Sequence, residues 1–258
     1  MFINTISESK YRTFKQCRLK YRYKYIDRYA EDEGGFTDPL HFGSYIHKIL
    51  EEGVKATTLG ELEKIAKEVL PNYKFGKAYD GKTEICIKNF LKLNASLNET
   101  VGTELVYDLE VKDGIHINGV IDRVIKGMDG GYLVIDYKTS KREKSKIDLF
   151  QDTQMKGYCY AVHQLFNVPI NEITVAHYYP LTDNLVAIKY TSTQIRAYLK
   201  TIVEEVWKIR KMKKVEFCAV KNEFCNWCSY QQICPEYNDS IIVEGRLKNR
   251  KPAPRRKR

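Results

Sequence analysis

The chain has 258 residues, 43% hydrophobic and 29% charged, with a formal net charge of +10. This is ordinary globular composition. No apolar run approaches the roughly 20 residues of a membrane span, and the opening MFINTISESK lacks a signal peptide's apolar core. A soluble, intracellular (cytoplasmic) protein is therefore expected. In a reducing compartment, an odd count of seven cysteines points to metal binding or buried thiols rather than disulfides.

In chain order, residues 5–29 read mainly as helix, although YRYKY also alternates like a strand. Residues 10–29 carry eight bases and one acid. Tyr11, Phe14, Tyr21, Tyr23, Tyr25 and Tyr29 interleave with those bases. Lys and Arg hold phosphates, and aromatic rings stack on single-stranded bases. Lys10, Arg12, Lys15, Arg18 and Arg22 are therefore candidate DNA contacts. The competing reading is a helix with a solvated basic face and a tyrosine core face. Residues 30–36, with Gly34 and Gly35, read as a loop.

Thr37 or Asp38 can cap a helix that has Pro39 at its first position and runs to Glu52. LGELEKIAKEVL and TEICIKNFLKLNASL are further amphipathic helices. ELVYDLEVK, HINGVIDRVI and YLVIDY read as strands, the last two joined by a KGMDGG turn. Residues 148–167 are expected as helix, EITVAHYYPL and NLVAIKY as strands, and 192–214 as a long helix. A cysteine-rich segment at 215–240 follows, then a basic tail at 241–258, expected to be disordered. Residues 246–258 hold eight bases and no acid, which leaves +2 for the rest of the chain. This order suggests an α/β or α+β fold.

The hairpin carries the chemistry. Symmetry about its turn places Asp122 and Asp136 nearly opposite each other. Opposed residues lie roughly 5 Å apart, where two carboxylates repel by about 3 kcal/mol at an effective dielectric near 20. A cation between them, or protonation of one, relieves that conflict. Lys138 shares a face with Asp136 because strand residues alternate. A divalent metal held by both acids beside a lysine suggests hydrolysis. His47 falls on an inward helical stripe with Leu40, Gly43, Leu50 and Val54, and taken alone reads as a core histidine. Gln154 and Tyr158 share a helix face at i and i+4. Taken alone they read as a packed tyrosine beside a solvated glutamine.

Together, His47, GVIDRV with Asp122, LVIDYKT with Asp136 and Lys138, and Gln154-x3-Tyr158 resemble the PD-(D/E)XK nuclease superfamily in its RecB-like branch. The likeness spans residues 5–237, with 37–214 as the nuclease core. No Pro precedes Asp122; Val120 and Ile121 stand there, and Gly119 with Asp122 supplies the Gly-x-x-Asp that this branch often has. The resemblance implies a restriction-endonuclease-like core, with a mixed central sheet flanked by helices, and a DNA exonuclease activity. Asp122, Asp136 and the Tyr137 carbonyl would hold Mg²⁺ or Mn²⁺, with His47 as an added ligand. Lys138 would orient or deprotonate water and neutralise the scissile phosphate. Gln154 and Tyr158 would position the lysine or the DNA backbone. The implied partners are DNA and proteins of recombination, repair, phage replication or CRISPR adaptation.

Cys225-x2-Cys228-x5-Cys234 is a metal-ligand spacing that needs a fourth member. Cys218 would complete a local zinc set, and Cys17 a distant one. The iron–sulfur members of the RecB-like branch, AddB-type and CRISPR-associated, use one N-terminal and three C-terminal cysteines. That resemblance implies a [4Fe–4S] cluster on Cys17, Cys225, Cys228 and Cys234, clasping residues 1–36 to 215–240. GKAYDGKT, residues 76–83, matches a phosphate-binding loop but follows a helical and polar stretch instead of a strand. The alternatives to a nuclease are a catalytically inactive iron–sulfur scaffold that binds DNA and, if that loop were real, an ATPase.

Overall fold

The computed structural model describes residues 4–32 and 38–249. Thr37, residues 33–36 of the expected loop, and residues 250–258 of the basic tail lie outside them. The chain divides into two compact units, Met1–Phe36 with Glu204–Arg258, and Thr37–Val203.

The Thr37–Val203 unit begins with three helices, α3 (Asp38–Glu52), α4 (Leu59–Val69) and α5 (Lys82–Ser96); β1 (Thr5–Ser7), α1 (Glu8–Gln16) and α2 (Arg18–Tyr21) belong to the other unit. Thr58 and Glu61 form a capping box that starts α4. Strands β2 (Glu99–Lys112), β3 (Ile115–Lys126), β4 (Tyr132–Tyr137), β5 (Ile173–Tyr179) and β6 (Asn184–Lys189) pair in that order. All neighbours are antiparallel except β4 and β5, which are parallel. The sheet is therefore mixed and flanked by helices. Phe42, Ile46, Ile49 and Leu50 of α3, Leu62 of α4 and Phe90 of α5 form one core with Ile125, Ile135, Tyr137 and Tyr178 of the sheet. The parallel pairing requires a crossover, which α6 (Lys146–Gln151) and α7 (Thr153–Phe166) supply.

The sequence predicts one helix over 148–167, but the structure breaks it at Asp152. That residue leaves helical geometry at ψ 118°, and its carboxylate caps the Gln154 and Met155 amides. The β3–β4 turn forms as the sequence predicts. Gly130 takes φ +84°, the Gly127 amide donates to the Gly131 carbonyl at 2.8 Å, and Asp129 Oδ1 accepts from the Gly131 amide at 3.0 Å. The GKAYDGKT stretch follows helix and 3₁₀ turns, not a strand, and Lys82 Nζ lies 4.1 Å over the Tyr79 ring. A phosphate loop lacks its context here.

The other unit holds β1 (Thr5–Ser7), α1 (Glu8–Gln16), α2 (Arg18–Tyr21) and a π-helical turn, Arg22–Ile26. That turn resolves the YRYKY ambiguity, since the Asp27 amide reaches back five residues to the Arg22 carbonyl at 2.8 Å. Helix α8 (Ser192–Lys211) crosses the division between units and ends three residues earlier than predicted. Leu19, Tyr23, Tyr230 and Ile233 form a core against which Cys17, Cys228 and Cys234 pack. The tail expected to be disordered begins instead as α9 (Ser240–Asn249). Arg246 pins it through the Gln232 carbonyl and Asn238 Oδ1, and Val243 is buried.

Candidate active site

The β3–β4 register pairs Arg123 with Ile135 and Val124 with Val134, so Asp122 and Asp136 are the next positions in line. Both are buried, at 9% and 2% exposure. The ladder ends there because Asp122 Oδ2 itself accepts the Tyr137 amide at 2.7 Å. Burial, and then the Asp136 charge, push the Asp122 carboxyl well above its ordinary value, against that hydrogen bond and Lys138. The expected conflict between carboxylates is thus present.

Lys138 Nζ meets Asp136 Oδ2 at 2.5 Å as an ion pair, although that oxygen makes no aligned hydrogen bond. Burial alone would lower the Lys138 ammonium, but Asp136 holds it above its ordinary value. His47 Nδ1 lies 3.4 Å from Asp122 Oδ2. Burial lowers the His47 imidazole, outweighing Asp136 and a hydrogen bond to the Tyr137 backbone. On α7, Gln154 Nε2 donates to Tyr158 Oη at 2.7 Å, and Tyr158 Oη donates to Asp136 Oδ1 at 3.5 Å. Burial, then Asp136, push the Tyr158 phenol well above its ordinary value, so it remains a donor. All seven residues named for this site in the sequence therefore gather around one hairpin.

Among the described residues, no group of three or more His, Cys, Asp or Glu side chains is gathered so as to hold a metal ion. Asp122, Asp136, the Tyr137 backbone and His47, the ligand set expected from the sequence, stand around the hairpin, and Lys138 supplies the counter-charge to Asp136. The donor chemistry nevertheless suits a hard divalent cation: two buried carboxylates, one destabilised as an anion and the other with an unaligned oxygen.

Several contributors escaped the sequence reading. His177, opposite Asp136 across the parallel pair, is fully buried. Burial lowers its imidazole to about 4, despite Asp136. Asp152 binds Lys144 beside it. Glu104 lines the same cleft as His47, Asp122 and Lys138. His177 had one signal, a polar residue inside an apolar run, but its strand partner is set by a distant crossover.

Gly119 acquires a physical role. A Cβ there would lie 2.7 Å from Tyr107 Oη, and the Tyr107 ring meets Tyr158 edge-on at 6.2 Å. Gly119→Ala is expected to displace Tyr107, cost about 1–3 kcal/mol and slow the site's chemistry through Tyr158. Chemical denaturation checks the first effect. Unchanged stability would mean that the ring relaxes freely.

The five candidate DNA-contacting bases all have partners in their own unit. Lys10 Nζ donates to the Thr5 carbonyl at 3.1 Å, and Arg12 pairs with Glu8 at 3.3 Å. Lys15 faces Glu205 at 4.0 Å, Arg18 stacks on Phe14, and Arg22 holds Asp27 at 2.8 Å. Phe14, Tyr21 and Tyr23 are buried. The expected base-stacking role is therefore corrected for these three rings, which are the core face of the helices. In the same unit, Cys17, Cys225, Cys228 and Cys234 line one pocket, whereas exposed Cys218 lines another. Burial raises the thiols of Cys228 and Cys234, and Cys17 adds to both shifts.

The family model described as PD-(D/E)XK nuclease superfamily matches residues 5–235. The subunits B of ATP-dependent helicase/deoxyribonuclease from Streptococcus pyogenes serotypes M1 and M6 are 23% and 24% identical to the chain over 248 residues. Each match covers 88% of this chain and 22% of the relative, so the chain spans about a fifth of the length of these curated relatives. A solved structure from Eubacterium rectale, provisionally described as an exonuclease, is similar in fold at TM-score 0.56 and 18% identity, over 88% of each chain. Among the described residues, no helix is long and apolar enough to cross a membrane.

Proposed function

The chain belongs to the PD-(D/E)XK nuclease superfamily, and on that premise we propose that it is a Mg²⁺- or Mn²⁺-dependent deoxyribonuclease, an exonuclease acting on single strands or duplex ends. The observation that carries this reading is the buried Asp122–Asp136 pair with Lys138 against it. Asp122, Asp136 and the Tyr137 carbonyl, with His47, are the residues that would hold the cation. When bound, the metal supplies an activated water and offsets charge growing on the phosphate.

The chain's own groups do the rest. His47, kept neutral by burial, offers a ring lone pair. Lys138, held protonated, neutralises the scissile phosphate and orients water in preference to removing its proton. Tyr158, itself bonded by Gln154, fixes Asp136 Oδ1. Lys10, Arg12, Lys15, Arg18 and Arg22 add phosphate contacts, a role for which the exposure of Arg12 and Lys15 leaves room. Four cysteines on one pocket suit a [4Fe–4S] cluster that ties α1–α2 to residues 225–234. The S. pyogenes relatives are named as subunits of a helicase/deoxyribonuclease, which supports DNA as the substrate, in recombination, repair, phage replication or CRISPR adaptation.

End-labelled single strands and duplexes incubated with Mn²⁺, Mg²⁺ or EDTA test the reading. Metal-dependent shortening from an end is expected. No cleavage with either metal on any substrate would leave the inactive scaffold as the better account.

A further inference from the structure

We propose that His177 is a positioning residue that donates a hydrogen bond from Nε2 to Asp136 and thereby aims this carboxylate at the divalent cation. The inference rests on reading Asp136 as a metal ligand, and it deepens that reading by adding a group from β5.

His177 is fully buried, and its Nε2 has no hydrogen-bond partner among the described residues. A buried ring nitrogen without a partner is costly on a strand whose neighbours could all be aliphatic. Its surroundings decide which nitrogen carries the proton. The Lys144 amide donates to Tyr179 Oη at 2.8 Å, which leaves the Tyr179 hydroxyl proton free to point elsewhere. Tyr179 Oη lies 3.4 Å from His177 Nδ1. Nδ1 then accepts, and the single proton of the neutral ring sits on Nε2.

That N–H has two carboxylates in reach, Asp136 Oδ2 at 3.7 Å and Asp152 Oδ2 at 4.0 Å. Asp152 is already satisfied, with Lys144 on Oδ2 at 2.5 Å and the Gln154 amide on Oδ1 at 2.8 Å. Asp136 Oδ2 has only an unaligned ion pair with Lys138. The vacant donor and the under-satisfied acceptor face each other, and a shift of less than 1 Å joins them. With Tyr158 on Oδ1, the carboxylate is then held from both sides. Donors behind a ligating carboxylate fix its direction, and removing one typically weakens metal binding by about 10–100-fold.

The test is Mn²⁺ affinity of the full chain by titration calorimetry, with the melting temperature in EDTA beside it. His177→Phe keeps the volume and removes the donor, and should weaken Mn²⁺ binding by about tenfold or more. His177→Gln keeps an amide N–H near the Nε2 position and should recover most of the affinity. Tyr179→Phe frees the tautomer and should give an intermediate loss, which keeps the question open to decision if His177→Phe fails to fold. Wild-type affinity in both His177→Phe and Tyr179→Phe, or a loss in His177→Phe that Gln does not restore, overturns the proposal. Asp136→Asn separates the two levels. If it binds Mn²⁺ like the wild type, the reading of the site fails and the role of His177 falls with it. If Asp136→Asn loses Mn²⁺ while His177→Phe does not, only the role of His177 is refuted.

Discussion

Lys138→Ala is expected to slow strand cleavage by about 10²–10³-fold, the usual loss when one charge-stabilising donor is removed. Asp136→Asn and Asp122→Asn should lose cleavage as completely, through the metal. The metal-free proteins should separate Lys138→Ala from Asp122→Asn by sign. Lys138→Ala leaves Asp136, only 2% exposed, without its counter-charge. It should cost up to about 3 kcal/mol in EDTA, the low end for breaking a buried pair because Lys138 is partly exposed. Asp122→Asn does the opposite. The Asp122 carboxyl is raised from 3.8 by burial and Asp136, so the folded state binds this proton more tightly than the unfolded state. Metal-free stability therefore falls as pH rises from about 4 through that raised value. Asparagine removes this loss and still accepts the Tyr137 amide. Asp122→Asn should melt at or above wild type at pH 7 in EDTA, with the gap closing near pH 4. A plain surface ion pair predicts neither shift, so equal melting temperatures for all variants would refute the charge arrangement.

Cys17→Ser carries the second large effect. Cys17 stands between α1 and α2, ending one and capping the other, with φ −159° and its Sγ accepting the Lys20 amide at 3.5 Å. If it completes an iron–sulfur set, its loss should bleach anaerobically purified protein. It should also open residues 219–237 to protease. Closing a loop of this length is worth on the order of 5 kcal/mol in the cross-link estimate. The realised loss should be smaller, because Leu19, Tyr23, Tyr230 and Ile233 and the Tyr23–Ile233 hydrogen bond already join the two segments. Cys218→Ser should change neither colour nor stability. Colourless wild type with about one zinc per chain, sensitive to Cys218→Ser and indifferent to Cys17→Ser, would be the opposite result. Metal analysis of the three proteins decides between them.

What the sequence by itself determined is local. The Asp122–Asp136 juxtaposition was legible because a short Gly-rich turn sets the register of the strands on either side, and strand alternation then puts Lys138 beside Asp136. Helices α3 to α5 were legible from their apolar period, and α3 also from the Asp38–Pro39 start. The x2 and x5 cysteine spacing was legible because three of those residues are neighbours in the chain. What only the tertiary structure decided depends on pairings between distant segments. His177 meets Asp136 because β5 returns parallel to β4 after a helical crossover, and nothing near either residue encodes that register. Asp152 breaks a helix that its sequence favours because its carboxylate caps the next helix and takes Lys144. Gly119 looks like a weak strand residue until the Tyr107 ring is laid across it. The aromatic face of the basic N-terminal helices was ambiguous for the same reason. Whether a ring stacks on a base or packs in a core depends on what lies against it, and for Tyr23 that is Tyr230, 207 positions away in sequence.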